Sequence, residues 1–370
     1  MALRTEFVKG SKGVRKMKTN FMMIKKAIPA ALMLAGAMGL STNASASAYA
    51  ISYDNIFGLA VTTTDANGGG GPFYVPLSAF TDFSTTSSAT GLQGPGGAGF
   101  PDPAGLPNSD SGGGPVDAQV AYGLGSVFPG GIPVNNAMTA QGQAGNYSYA
   151  DAQVSSTALS QPLPGQPVTA TGNLTQAWNI AEGFVSDDGN ASASGINSSE
   201  TGFTTQFELG APAIFNFDFM ADPYMMVAMG LDALGGTANA NLDVTFTITG
   251  AGGTVFEWSP NGEVGGITGG TENLDPFNLN GSIEVTAPGD SAVFDPNGNG
   301  APTGDINPAS FGTFSASTFV LAAGTYTLSL DMIENINIRT AAAAVPQPGI
   351  LALFGLSLAG LGLSRRRKAS

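Results

Sequence analysis

The sequence contains no cysteine and no histidine among its 370 residues. Without cysteine no disulfide can form, so the folded chain must be stabilised by apolar burial and hydrogen bonding. The two absences also exclude a Ser-His-Asp or Cys-His catalytic arrangement and a zinc site of the Cys/His kind. Carboxylate chemistry stays open, but no spacing of acids singles out a catalytic pair. We therefore predict that the protein is not an enzyme.

Basic side chains are nearly absent from the middle of the chain. Of thirteen Lys and Arg residues, eight lie before residue 27, four lie after residue 364, and Arg339 is the remaining one. All the acidic residues except Glu6 lie between these two basic ends. The negative electrostatic field of this acidic middle segment disfavours nucleic acid as a partner and attracts divalent cations and basic surfaces. Its simpler role is to keep a Gly-rich chain soluble.

The N-terminal segment has the order of features of a secretory signal peptide. Four lysines between positions 16 and 26 precede an apolar run over residues 27–40, and Ala46-Ser47-Ala48 follows. We predict a signal peptide over residues 1–48, cleaved at the A-x-A signature formed by Ala46 and Ala48, so that the mature chain begins near Tyr49. Because Met17 begins a signal of ordinary length, residues 1–16 are expected to lie upstream of the true start.

The last twenty-six residues, 345–370, combine a proline motif, an apolar run and a basic cluster. The apolar run, residues 350–363, would reach roughly 21 Å as a helix, short of the roughly 30 Å hydrocarbon core of a bilayer. Prolines disfavour an upstream helix and leave an extended segment for a protease. The basic cluster is expected to stay cytoplasmic. The motif is Val345, Pro346, Gln347 and Pro348, and the cluster is Arg365, Arg366, Arg367 and Lys368.

This tail resembles the PEP-CTERM sorting signal of Gram-negative bacteria, in which a Pro-Glu-Pro-like motif, a short apolar helix and an Arg-rich end follow one another. The resemblance covers the tail alone, and Gln347 stands where the family usually has Glu. It implies export, transient anchoring in the inner membrane, and processing by an exosortase before release to the cell surface or extracellular matrix. An ordinary single-pass anchor and a buried core helix are the alternatives.

The middle of the chain, residues 49–344, has the patterns of β-strands. Apolar side chains alternate with polar ones over 203–209, 215–219, 244–248 and 326–332, and residues 224–229 are continuously apolar. A Gly-rich turn over 250–253 predicts a hairpin. Residues 51–64 predict a further strand, with Ile56, Leu59 and Val61 in the core.

Two places interrupt this pattern. Residues 67–115 are rich in Gly, Pro and Ser and predict a long loop with one brief strand near residues 73–75. At Ile333-Glu334 the alternation is interpreted as broken, which predicts a β-bulge or a strand end. With no helical periodicity outside the two end signals, the fold class predicted is all-β: an antiparallel, jelly-roll-like β-sandwich with an N-terminal signal helix and a short C-terminal transmembrane helix. One or two β domains fit the length.

A calcium site is the one metal site that the sequence suggests. Asp295, Asn297 and Asn299 alternate in a stretch that matches the first half of an EF-hand-type loop, and Asp305 follows. Ile306 occupies the twelfth position, where a bidentate Glu belongs. A Gly/Asn/Pro turn between strands explains the same residues. No cofactor is otherwise expected.

The function predicted is that of an exported structural or adhesive protein of the cell surface or of a polysaccharide-rich matrix. Its expected partners are the export machinery, an exosortase and the polysaccharide. A carbohydrate-binding module is the alternative, because aromatic platforms bind sugar rings. The candidates for such a platform are Trp178, Trp258, Tyr147, Tyr149 and Tyr224. A carboxylate-based hydrolase is a third reading.

Overall fold

Two antiparallel sheets of nine described strands each make up the fold, as predicted for an all-β chain. The computed structural model describes residues 47–66, 74–76, 82–93, 109–112, 116–123, 138–143, 146–155, 175–186, 193–231, 233, 235–304 and 307–341. The predicted signal helix and C-terminal transmembrane helix lie outside these residues. Within them, no helix is long and apolar enough to cross a membrane.

The first sheet is organised on β1 (Ser47–Asp65), its longest strand. β7 (Thr175–Ser186) pairs along one edge of β1. Along the other edge, β10 (Tyr224–Met229) pairs with the first part of β1 and β9 (Ala213–Ala221) with the second. The sheet is completed by β5 (Val116–Gly123), β6 (Tyr147–Ser155), β14 (Gly270–Leu274), β16 (Ser291–Phe294) and β17 (Gly312–Thr318).

A bulge in β1 changes which of its side chains face the core. The pairing shifts by one residue after Phe57, and Gly58 has a φ of 71°, which glycine adopts without steric cost. Ile56 therefore faces the core from the first part of the strand, and Leu59 and Val61 face it from the second. All three were predicted as core residues, and this prediction is confirmed.

The second sheet is organised on β18 (Gly324–Ala341), which pairs with β11 (Gly235–Gly250) on one side and with β8 (Ala193–Leu209) on the other. β11 turns into β12 (Gly253–Trp258) as the predicted hairpin. The other strands are β2 (Tyr74–Pro76), β3 (Asp82–Gln93), β4 (Ser109–Gly112), β13 (Ile267–Thr268) and β15 (Gly281–Val285). A single turn of 3-10 helix, Pro308–Ser310, precedes β17.

Two predictions about this sheet are wrong. The stretch 67–115, expected to be a loop, contains β3, whose Ser- and Thr-rich sequence pairs with β8. Threonine is β-branched and favours strands, so low apolar content did not exclude one. The expected break at Ile333-Glu334 is absent, because β18 pairs without a register shift through both residues. Glu334 occupies an inward position, and the alternation continues through it.

The two sheets face each other across one core that is aromatic at one end. Phe219 of β9 stacks on Phe314 with ring centroids 4.9 Å apart, and it lies 5.5 Å from the ring of Trp258. Phe217 stacks on Phe256 at 5.0 Å. These large rings from both sheets fill the space between them and exclude water.

The other end of the interior is lined by alanines, and here the sheets come close together. Hydrogen bonds run here from side chains of one sheet to backbone carbonyls of the other. The hydroxyl of Ser52 donates to Asn241 O (2.7 Å), the amide of Asn179 to Met332 O (2.9 Å), and the hydroxyl of Ser199 to Asp151 O (2.7 Å). Because serine is short, these bonds require a separation below the roughly 10 Å usual for packed sheets. The inward alanines include Ala48, Ala50, Ala177 and Ala181.

Replacing Phe219 by Ala is expected to lower the free energy of unfolding by about 3 to 5 kcal/mol, because it removes ring contacts and leaves a cavity. Denaturant titration measures the change. The matched control is Phe319→Ala, since Phe319 is 61% exposed; its effect is expected within about 0.5 kcal/mol. Equal effects of the two substitutions would contradict the assignment of the aromatic core.

Candidate functional site

The predicted sorting residues lie outside the described part of the chain. This holds for the proline motif, for the basic cluster, and for Ala46 of the predicted cleavage site. The motif residues are Val345, Pro346, Gln347 and Pro348, and the cluster residues are Arg365, Arg366, Arg367 and Lys368.

The second residue of the predicted cleavage signature is part of the folded sheet. Ala48 is buried in β1 and pairs with Met229 and with Val185. The carbonyl of Ser47 accepts a hydrogen bond from Gly230 N at 2.8 Å. Cleavage after Ala48 would remove these contacts, whereas cleavage after Ala46 would keep β1 whole.

The predicted calcium loop forms a turn in which the carboxylate of Asp295 accepts backbone hydrogen bonds. Asn299 N and Gly300 N donate to its two oxygens at 3.1 and 2.9 Å. The side-chain amides of Asn297 and Asn299 donate to one oxygen of Asp222 at 3.0 and 2.7 Å. Asp305 lies outside the described residues. Sequence reasoning missed Asp222, since it lies on a different segment of the chain.

Apart from the Asp295 turn, the described residues hold no conventional cluster of metal-binding side chains. In the described part of the chain, no three His, Cys, Asp or Glu side chains lie together as a metal-binding group.

The aromatic residues proposed as a sugar platform lie inside the protein. Trp258 is fully buried and its indole donates to Glu272 at 2.8 Å. Tyr147 and Tyr149 are fully buried, and Tyr224 is 7% exposed. Trp178 is half-buried and packs against a cluster that contains these three tyrosines. Four of the five are buried and Trp178 is half-buried, so they do not form the exposed platform predicted for sugar binding.

Four of these aromatics belong to a second cluster, on the outer face of the first sheet, that surrounds a buried acid. Residues 138–143 contribute to its cover through Met138 and Ala140. At its centre, Glu182 of β7 is fully buried. The cluster consists of Tyr49, Ile51, Tyr53, Met138, Tyr147, Tyr149, Ile180, Tyr224 and Ala228, with Ala140, Trp178, Phe184 and Met226 packed against it.

Glu182 accepts hydrogen bonds from two tyrosines and two backbone amides. Tyr49 and Tyr147 approach Oε1 at 2.7 and 2.8 Å. The backbone N–H groups of Gln141 and Gly142 donate to the carboxylate at 2.7 and 2.9 Å. The acid thus ties residues 138–143 to the sheet. No pattern in the sequence pointed to this role, because it depends on a chain segment forty residues away.

The environment of Glu182 favours its neutral form. Burial raises the pKa of Glu182, although its hydrogen bonds act in the opposite direction. The hydroxyl of Tyr147 also contacts the carbonyl of Gly142, a second link between the sheet and residues 138–143.

Replacing Glu182 by Ala is expected to release residues 138–143 from the sheet, because four donors lose their acceptor. The measurement is amide hydrogen exchange, which is expected to accelerate at Gln141 and Gly142. Glu182→Gln keeps an acceptor oxygen and is expected to accelerate exchange less. The control is Glu208→Ala, at an exposed position of β8. Unchanged exchange in Glu182→Ala would refute the role of the acid.

Comparison with known proteins identifies the tail and leaves the rest of the chain unassigned. No curated protein matches the sequence. A structure of infectious bursal disease virus, strain Gx, is 13% identical over 84% of this chain and 73% of that chain, with a TM-score of 0.10. A structure of strain Gt is 14% identical over 87% of this chain and 74% of that chain, with a TM-score of 0.09. Scores this low carry no argument. Residues 344–368 match the family model of the PEP-CTERM protein-sorting motif, so this chain carries that motif at its C-terminal end.

Proposed function

We propose that the protein is exported by its signal peptide, held briefly in the inner membrane by its tail, and processed there by an exosortase. It then acts, without catalysis, as a structural or adhesive component of the cell surface or extracellular matrix. The observation that carries the proposal is the position of the motif. β18 is the last described strand and ends at Ala341, and the sorting motif begins at residue 344. Cleavage at the motif therefore leaves every described strand intact.

The outer face of the second sheet supports an association with polysaccharide. It presents hydroxyl, amide and carboxylate groups along β8, β11 and β18. Hydroxyls on neighbouring strands bond one another, as Thr247 and Ser329 do at 2.6 Å. Thr204, Gln206 and Glu208 are exposed on the same face. A broad polar face of this kind binds hydrated polymers by many weak hydrogen bonds rather than by ring stacking.

The carbohydrate-binding alternative loses the ring platform first considered for it, because those five aromatics are buried or half-buried. Sedimentation of the protein with polysaccharide from its host distinguishes the two readings. Weak, length-dependent binding that is lost when Thr247 and Ser329 are both replaced by Lys supports matrix association. Tight binding of a defined short oligosaccharide supports a binding module instead. Release of reducing ends from the polysaccharide would support the hydrolase.

Mass spectrometry of the protein from its native host, fractionated by compartment, tests the sorting account. The mature chain is expected outside the cell, beginning at Ser47 because that end preserves β1, and ending between Pro346 and Pro348. An intact Arg-rich end in the inner membrane would contradict exosortase processing. An N-terminus at Tyr49 would contradict the assignment of Ser47 and Ala48 to the mature sheet.

The residue that departs from the family pattern provides a second test. Gln347→Glu restores the usual acid of the motif and is expected to raise the processed fraction. Replacing Arg365, Arg366, Arg367 and Lys368 together by Ala is expected to lower it, because the cytoplasmic end is no longer retained. Immunoblots of membrane and extracellular fractions measure both. No change in either variant would show that the motif is not used.

A further inference from the structure

Four buried polar side chains on four different strands lie between the two sheets, and each has an oxygen atom without a hydrogen-bond partner in the described structure. Asp54 lies on β1, Asn179 on β7, Thr201 on β8 and Glu334 on β18, and each is fully buried. The unpartnered atoms are Asp54 Oδ2, Asn179 Oδ1, Thr201 Oγ1, and Oε1 and Oε2 of Glu334. We call this group the inter-sheet carboxyl site.

The strand registers bring these four residues to one place. Asp54 is the direct partner of Asn179 across the β1–β7 ladder. Glu334 is the partner of Ser199 across the β18–β8 ladder, and Thr201 is the next inward residue on β8. The sheets are joined at this point, because the amide nitrogen of Asn179 bonds to Met332 O at 2.9 Å and to Ser199 O at 3.4 Å. Asn179 therefore lies beside Glu334, the ladder partner of Ser199.

Two buried acids without a basic partner are costly in their charged form. Arg339 is the only basic residue between positions 47 and 341, and it is exposed. Burial raises the pKa of Asp54 to about 8, and the pKa of Glu334 is raised well above its usual value by burial and then by the charge of Asp54. The charge of Asp222 also raises the pKa of Asp54, and the charge of Asp243 also raises the pKa of Glu334. Near neutral pH the site needs protons or a cation.

We propose that the inter-sheet carboxyl site binds a calcium ion. Its donors are all hard oxygens: two carboxylates, one amide and one hydroxyl. Calcium takes six to eight oxygen ligands and accepts a bidentate carboxylate, so five oxygens and one or two waters complete its shell. Zinc prefers nitrogen and sulfur ligands, and magnesium keeps several waters that a closed interior does not accommodate. The site differs in every residue from the Asp295 turn.

Thermal unfolding of the exported protein at pH 7.5, with calcium or with EDTA, tests this proposal. At a free calcium concentration about 100-fold above the dissociation constant, Tm is expected to rise by about 5 °C. The variant Asp54→Asn with Glu334→Gln replaces the acids by neutral groups of the same shape and is expected to lose the calcium-dependent rise. The control Asp295→Asn is expected to keep it.

Dependence on pH separates calcium from protons as the neutralising species. Because both folded pKa values lie above those of the unfolded chain, the folded state binds more protons, and stability in EDTA is expected to fall as pH rises from 5 to 8. Calcium is expected to reverse this fall in the wild-type protein. A fall that calcium does not reverse would show protonation alone and would overturn the proposal. A calcium-dependent rise that persists in the double variant would overturn it as well.

Discussion

The close approach of the two sheets at the alanine-lined end is the constraint on which the interior depends. Where Ser52, Asn179 and Ser199 reach the opposite backbone, there is no room for the large rings that fill the other end. Alanine leaves that space and adds no polar atoms. The chain thus uses two kinds of packing in one sandwich: interlocking aromatics at one end, and short side chains with inter-sheet hydrogen bonds at the other. The second kind fixes the register between the sheets, because a hydrogen bond depends on direction and a hydrophobic contact does not.

Acidic side chains are also buried in this protein. The chain has no cysteine, no histidine and a single base in its described part, so a buried carboxyl has few means of compensation. On the outer face of the first sheet, tyrosine hydroxyls and backbone amides donate hydrogen bonds to Glu182 and compensate its burial. Oδ2 of Asp54 and both carboxyl oxygens of Glu334 have no such donor in the described structure. The difference between a satisfied and an unsatisfied acid separates a structural role from a candidate binding role.

The alternation of apolar residues predicted most of the strands, because period-2 burial is a local property of each segment. It placed the core faces of β8, β9, β11 and β18 correctly, and it found the hairpin between β11 and β12. It failed at Ile333-Glu334, where a bulge or strand end was predicted, because Glu334 is buried at an inward position and the strand continues through it. It also failed for β3, whose stability as a strand comes from pairing with β8 rather than from its own apolar content. The buried clusters join residues more than a hundred positions apart, and no local pattern contains that information.

The distribution of charge connects the proposed sorting of the protein with its attraction for cations. The whole chain has a formal charge of −14, but twelve of its thirteen basic residues lie before residue 27 or after residue 364. Removal of both ends, as proposed, would take those twelve cations and only one acid, Glu6, and would leave a domain far more negative than its precursor. Its attraction for divalent cations is correspondingly stronger. Under the proposed processing, an acidic site between the sheets would therefore attract its cation most strongly after export, when the positive ends no longer compensate the field of the domain.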